Sequence, residues 1–292
     1  MADANSFEEV EFENSYTSNQ EIESTSDLEW ETCDDEDSIL LPELHPFFPT
    51  MLAQPHIVGY SAGYRTYDKI FKTSVLPVSI GDQFSLYHYK LNCGQLYWGI
   101  EACVWAVFEA RTKSLSLINA DYYIAFPFTY INDNFAMRLR LFHESSHLGD
   151  EFLIERRNIK RLNPSMEVID LSLAYDITDQ LTTFVGYSRV LRSDESYVIR
   201  PNSVYYGFNY HLNCWRIRIG NLDALPYFAT YFTNMEDHKW ALDSSVAVGY
   251  QWEKSCGHKL RVFIEGYDGY SAEGQFSKQK TSYAAVKMFY GY

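Results

Sequence analysis

Between residues 1 and 40 there is no lysine or arginine, against 14 aspartates and glutamates. The formal net charge of −15 therefore sits in an acidic arm, which leaves 25 of the 39 acidic side chains to face all 24 basic ones in residues 41–292. With no basic cluster or surplus, and an arm that repels phosphate, nucleic acid is excluded as a partner. No C-x-x-C pair occurs among the five cysteines, which removes structural zinc sites and thioredoxin-like redox chemistry. Their odd number means that at least one thiol is free or joined to another chain. No run of 18 apolar residues exists, so no transmembrane helix is legible. The opening MADANSFEEVEFE has neither the basic start nor the apolar stretch of a signal peptide. Taken literally the chain would be cytosolic, although a mature form or a misplaced start codon would read the same. Nor does any segment from 56 to 292 form a convincing amphipathic helix capped at both ends.

What is abundant is aromatic: 24 Tyr, 19 Phe and 6 Trp, or 17% of the residues. Residues 1–40 read as a disordered acidic arm. Residues 41–55, LPELHPFFPTMLAQP, hold four prolines and read as an irregular lead-in. From His56 onward, stretches of about ten alternating residues recur between breaks. The candidate strands are 56–66, 78–91, 94–108, 118–130, 134–146, 165–176, 181–192, 202–212, 215–233, 239–252, 258–269 and 280–292. In the last, Ala284, Val286, Met288, Tyr290 and Tyr292 share one face, and Tyr283, Lys287 and Gly291 the other. The breaks at Asn132-Asp133-Asn134 and Thr178-Asp179-Gln180 are tight, whereas those after the fifth, seventh and eleventh strands are long and polar.

An all-β, antiparallel up-and-down transmembrane β-barrel of about twelve strands produces this alternation of turn and loop. A large β-sandwich or lipocalin-like barrel is the soluble alternative. The expected location is the outer membrane, with membrane lipid as partner. If the N-terminus lies on the periplasmic side, Cys93, Cys214 and Cys256 fall at periplasmic turns and could form disulfides with neighbouring chains. Arg138 and Arg140 are expected to face the lumen with Asp170 and Asp176 as partners. Tyr60, Tyr64, Tyr205, Tyr206 and Tyr210 read as girdle and packing.

Chemistry concentrates in Phe135 to Leu153, FAMRLRLFHESSHLGDEFL. Phe135, Met137, Leu139 and Leu141 share one strand face, and that phase runs on into His143, Ser145 and His147. A histidine and a serine on the apolar face suit nucleophilic catalysis, in which a base within reach activates the hydroxyl and a third group orients the base. The same residues spell H-E-x-x-H, a zinc motif on a helix. On a strand, however, the two imidazoles stand about 13 Å apart. The structural alternative makes the segment a polar strand end and loop, with Asp150 and Glu151 paired to Arg156, Arg157 or Arg161.

His-x-Ser on the outer face of a twelve-stranded barrel resembles outer membrane phospholipase A and the lipid A deacylase barrels. That resemblance implies His143 as base, Ser145 as nucleophile and Asn158, fifteen positions on, as the orienting residue. It also implies an acyl ester of a membrane lipid as substrate. The phospholipase pattern continues Asn-Gly where this chain has Ser146 and His147. More widely, residues 41–292 are similar to a bacterial family designated a domain of unknown function, number 1207. The similarity lies in His143 to Glu151 and in Phe48-Pro49-Thr50-Met51-Leu52-Ala53-Gln54-Pro55, and it implies a barrel without an established activity. Glu144, Ser146, His147, Asp150 and Glu151 are read as supporting residues that shape the site. Asp150 and Glu151 could hold Ca²⁺ through their oxygens. A lipid acyl hydrolase is thus set against a non-enzymatic structural, pore or surface-exposed barrel, with an H-E-x-x-H zinc hydrolase as a further alternative.

Overall fold

In the computed structural model, residues 38–40, 48–112, 115–155, 163–219, 222–253 and 257–292 are described. Alternating residues form twelve strands: β1 (Tyr60–Thr66), β2 (Val75–Leu91), β3 (Gly94–Glu109), β4 (Leu117–Asn132), β5 (Phe135–Leu148) and β6 (Ser165–Thr178) make one half. The other half is β7 (Leu181–Ser193), β8 (Asn202–His211), β9 (Leu222–Met235), β10 (Leu242–Glu253), β11 (Lys259–Tyr270) and β12 (Lys280–Gly291). Every strand pairs antiparallel with its neighbour in sequence, and β12 pairs with β1 from Ala284–Thr66 to Tyr290–Tyr60, which closes the ring. The expected twelve strands are all present, most with ends moved by a few residues; the ninth, expected from 215, begins at Leu222, and Ile217–Ile219 forms a separate short strand paired antiparallel with Leu222–Ala224. Ser38–Leu40, at the end of the stretch read as an acidic arm, adds a short strand against Tyr87–Tyr89 of β2.

The pleat sorts side chains to two faces. Outward, Phe126, Leu139, Leu171, Val185, Tyr206, Phe228, Val248, Ile264 and Val286 are exposed on the successive strands β4 to β12. A continuous apolar band of this kind is the lipid-facing surface of a transmembrane barrel. Inward, charges are matched. Arg140 meets Asp170 at 2.9 Å and Glu101 at 3.3 Å, and Lys287 meets Glu265 at 2.8 Å. Of the two expected acidic partners only Asp170 is used: Arg138 meets Glu101 at 3.6 Å, while Asp176 accepts a hydrogen bond from the Thr182 hydroxyl across the turn. Tyr205 packs inside the lumen with Phe48, Met51 and Phe184, and its hydroxyl donates to Asp170 at 2.6 Å.

Two inserts fill the lumen. At the end bearing the short turns, the lead-in threads inward and buries Phe48, Met51, Leu52 and Ala53. Its backbone is held by Asn209, whose amide oxygen accepts from Leu52 N (3.1 Å) and whose amide nitrogen donates to Thr50 O (2.8 Å). Further along, His56 stacks on Trp105 with ring centroids 4.5 Å apart, and the indole donates to Ile57 O at 2.9 Å. Burial pushes the His56 imidazole down to about 4, so it is neutral at pH 7.

At the loop end, the segment between β11 and β12 dips into the mouth and buries Glu273, Gly274, Gln275 and Phe276. Burial pushes the Glu273 carboxyl up, but the Arg65 guanidinium at 2.7 Å outweighs it and holds the group at about 2. Over this segment lies α1 (Asp150–Glu155), a helix too short for its periodicity to show in the sequence. Its Phe152 packs edge-on against Phe276, which packs likewise on Phe71, and the mouth is capped.

Among the described cysteines, Cys93 and Cys214 are exposed free thiols and Cys103 is a buried one. No disulfide joins them, so the expected linkage to neighbours finds no support here; Cys256 lies outside the described residues.

Candidate functional site

Strand β5 contains all of His143 to His147. The shared helical face that would bring His143 and His147 to one zinc therefore does not form. Alternation instead sends His143, Ser145 and His147 outward, and Glu144 and Ser146 into the lumen, so the motif serves two sites.

On the outer face, β5 and β6 pair in a register that sets His143 directly opposite Glu167. The imidazole Nδ1 stands 3.3 Å from Glu167 Oε1. The same carboxylate is gripped by Arg192 of β7, Nε to Oε2 at 2.8 Å and a terminal nitrogen to Oε1 at 3.0 Å. Arg192 reaches this face because the β6–β7 ladder shifts register between Glu167 and Val168. A bulge of that type re-aims a side chain. Ser145 lies two residues beyond His143 on the same face, opposite Ser165 of β6 and Tyr122 of β4. It forms no hydrogen bond with His143 in this structure. His147 packs its ring edge on Tyr122, centroids 5.6 Å apart. Asn158 lies outside the described residues, as do Arg156, Arg157 and Arg161.

Sequence reasoning missed Glu167. The signal that could have found it is the antiparallel pairing: a two-residue histidine-serine step near a strand end invites a search of the facing strand for a carboxylate. That search needs a register, which the unpatterned length of the intervening loop conceals.

On the inner face, Ser146 is a docking point. Its hydroxyl donates to Asn119 Oδ1 (3.1 Å) and accepts from Gln275 N (3.1 Å), while its carbonyl accepts from Gln275 Nε2 (2.7 Å). Beside it, Gly274 N points at the Asp121 carboxylate, 3.3 Å away. Gly149 completes the arrangement, since a Cβ there would stand 1.9 Å from Leu117 O. Glu144 also turns inward, toward a cavity beneath the loop. Asp150 and Glu151 are exposed in the first turn of α1, where acidic side chains suit the positive helix end. Among the described residues, no three or more His, Cys, Asp or Glu gather as a metal site.

A family model described as Protein of unknown function (DUF1207) matches residues 15–292. No curated protein matches the chain in sequence. Among solved structures, outer membrane phospholipase A from Escherichia coli superposes with a TM-score of 0.54 at 11% identity, over 82% of this chain and 95% of that one. The KdgM porin, solved with oligogalacturonate, gives 0.45 at 12% identity over 80% and 99%. The β domain of the Bordetella autotransporter BrkA gives 0.44 at 11% over 80% and 97%. At these identities the likeness is one of fold: an outer-membrane-type barrel.

Proposed function

Given that the chain belongs to the DUF1207 family, we propose that it is an outer-membrane barrel that hydrolyses acyl esters of membrane lipids at the outer leaflet. The observation that carries the reading is the outward-facing His143, held through Nδ1 by Glu167 and standing one strand repeat from Ser145. In such an arrangement the carboxylate fixes the ring and leaves Nε2 free as the base. Ser145 Oγ then attacks the ester carbonyl as Nε2 takes its proton. The imidazolium returns that proton to the departing alcohol, and water, deprotonated in the same way, releases the acyl group. Catalytic hydrogen bonds are often long before substrate binds, and a lipid seated on the rim would draw serine and imidazole together.

The placement suits an acyl substrate. Leu139 and Leu141 lie on the same face as His143, so an acyl chain lying along β5 would bring its ester to the polar rim. Charged groups cost about 2–4 kcal/mol on the lipid face at mid-membrane but about 0–1 kcal/mol near the interface, which is where Glu167 and Arg192 are affordable.

The test is covalent trapping. Refolded protein treated with a fluorophosphonate should carry the adduct on Ser145, and labelling should fall in His143→Ala and Glu167→Gln. Labelling confined to other serines, or none, would return the chain to the reading of a non-enzymatic barrel.

A further inference from the structure

We propose that the lumen contains a binding site for a small organic cation, an amine or quaternary ammonium group, centred on Glu144. A cavity of about 250 Å³ lies inside the barrel beneath the loop between β11 and β12, and a second of about 110 Å³ adjoins the lead-in. Glu144 lines both, together with His56, Arg140 and Phe142, and so occupies the neck between them.

The other acidic groups around that neck each have a hydrogen-bond or ion partner. Arg140 is shared by Asp170 and Glu101, Arg138 also serves Glu101, and Asp243 meets His238 at 3.2 Å. Asp121 receives Gly274 N at 3.3 Å and has the His56 ring at 3.9 Å. Glu144 has no hydrogen-bond or ion partner among the described residues. A carboxylate withdrawn from bulk water is costly unless a cation or a proton joins it. His56 supplies no charge, because burial keeps its ring neutral at pH 7.

The rest of the lining specifies what kind of cation fits. Tyr197, Tyr205, Tyr231, Tyr267 and Tyr270 bring aromatic rings to the larger cavity, and ring faces attract a weakly hydrated organic cation. A compact metal ion would demand several oxygens around it, whereas among the described residues no three His, Cys, Asp or Glu side chains gather as a metal site. Concave space, aromatic walls and one unpartnered carboxyl group are the usual parts of a small-molecule site. The position is independent of the outer-face chemistry: Glu144 and Ser145 are neighbours in sequence, but the wall of the barrel separates their side chains.

The experiment is a titration of the refolded, detergent-solubilised full chain with tetramethylammonium chloride, read by tyrosine and tryptophan fluorescence against sodium chloride at equal ionic strength. The expected result is a saturating change with tetramethylammonium and none with sodium. Affinity should be at least tenfold weaker in Glu144→Gln and unchanged in Ser145→Ala. A second variant, Tyr231→Leu, should weaken binding several-fold and covers the case in which Glu144→Gln does not fold. No saturable response beyond that of sodium overturns the proposal, as does binding that both variants leave intact. Because Ser145→Ala is in the set, failure here and failure of the hydrolase reading are told apart.

Discussion

Ser145 and Ser146 are adjacent in sequence and face opposite media. Ser146→Ala strands the buried Gln275 N–H and should cost about 1–3 kcal/mol in docking of the loop between β11 and β12. Limited proteolysis should then cut within 271–279 while the barrel itself stays resistant. Ser145→Ala should leave that loop protected, and equal protease sensitivity in the two variants would contradict the assignment of faces. Gly149→Ala should also lower the unfolding temperature, because its Cβ would overlap Leu117 O; an unchanged melting curve would contradict the close approach. Part of this was legible beforehand. Strict alternation through Phe135–Leu141 put His143 and Ser145 on the apolar face, where the structure has them. The use of Ser146 was not legible, because its partner Gln275 lies 129 residues away and only the closed ring brings the two together.

At the scale of elements, the strands could be read and the inserts could not. Alternation encodes which side of a wall a residue faces, so all twelve strands emerge from it, but it is silent on what occupies the enclosed space. The prolines of the lead-in announced irregular backbone without saying that it enters the lumen. The two inserts carry opposite chemistry and so should respond differently to acid. His56 titrates near 4 in the folded chain against 6.5 in an open one, so the unfolded state binds more protons between those values. Stability from the lead-in is therefore complete above pH 6.5 and lost as pH falls toward 4. Glu273 titrates near 2 against 4.5, so its contribution is complete above pH 4.5 and lost between 4.5 and 2. Hydrogen exchange followed by peptide mass spectrometry should show residues 50–57 loosening at milder acidity than residues 271–279. The reverse order would contradict the two attachments.

For the whole molecule, a ring of twelve strands with a filled interior predicts a closed barrel and not an open pore. In planar bilayers the protein should give little or no steady conductance. Replacing residues 272–278 by a short Gly/Ser linker should raise it, since Glu273 and Gln275 no longer span the mouth. Large open channels from the unaltered chain would contradict the packing of the lumen. The barrel was legible from strand count and the alternation of tight and long breaks; the closure of its mouth was not, because α1 spans only Asp150–Glu155 and carries no repeat to detect. The outer surface then carries the central claim, that lipid reaches an activated serine from the membrane side. It is tested most directly by acyl-ester turnover of refolded protein in mixed detergent–phospholipid micelles, with and without Ca²⁺. Turnover should be present in the unaltered chain, abolished in Ser145→Ala and His143→Ala, and reduced about 10²–10⁴-fold in Glu167→Gln. Folded protein without turnover, or turnover that survives Ser145→Ala, would contradict it.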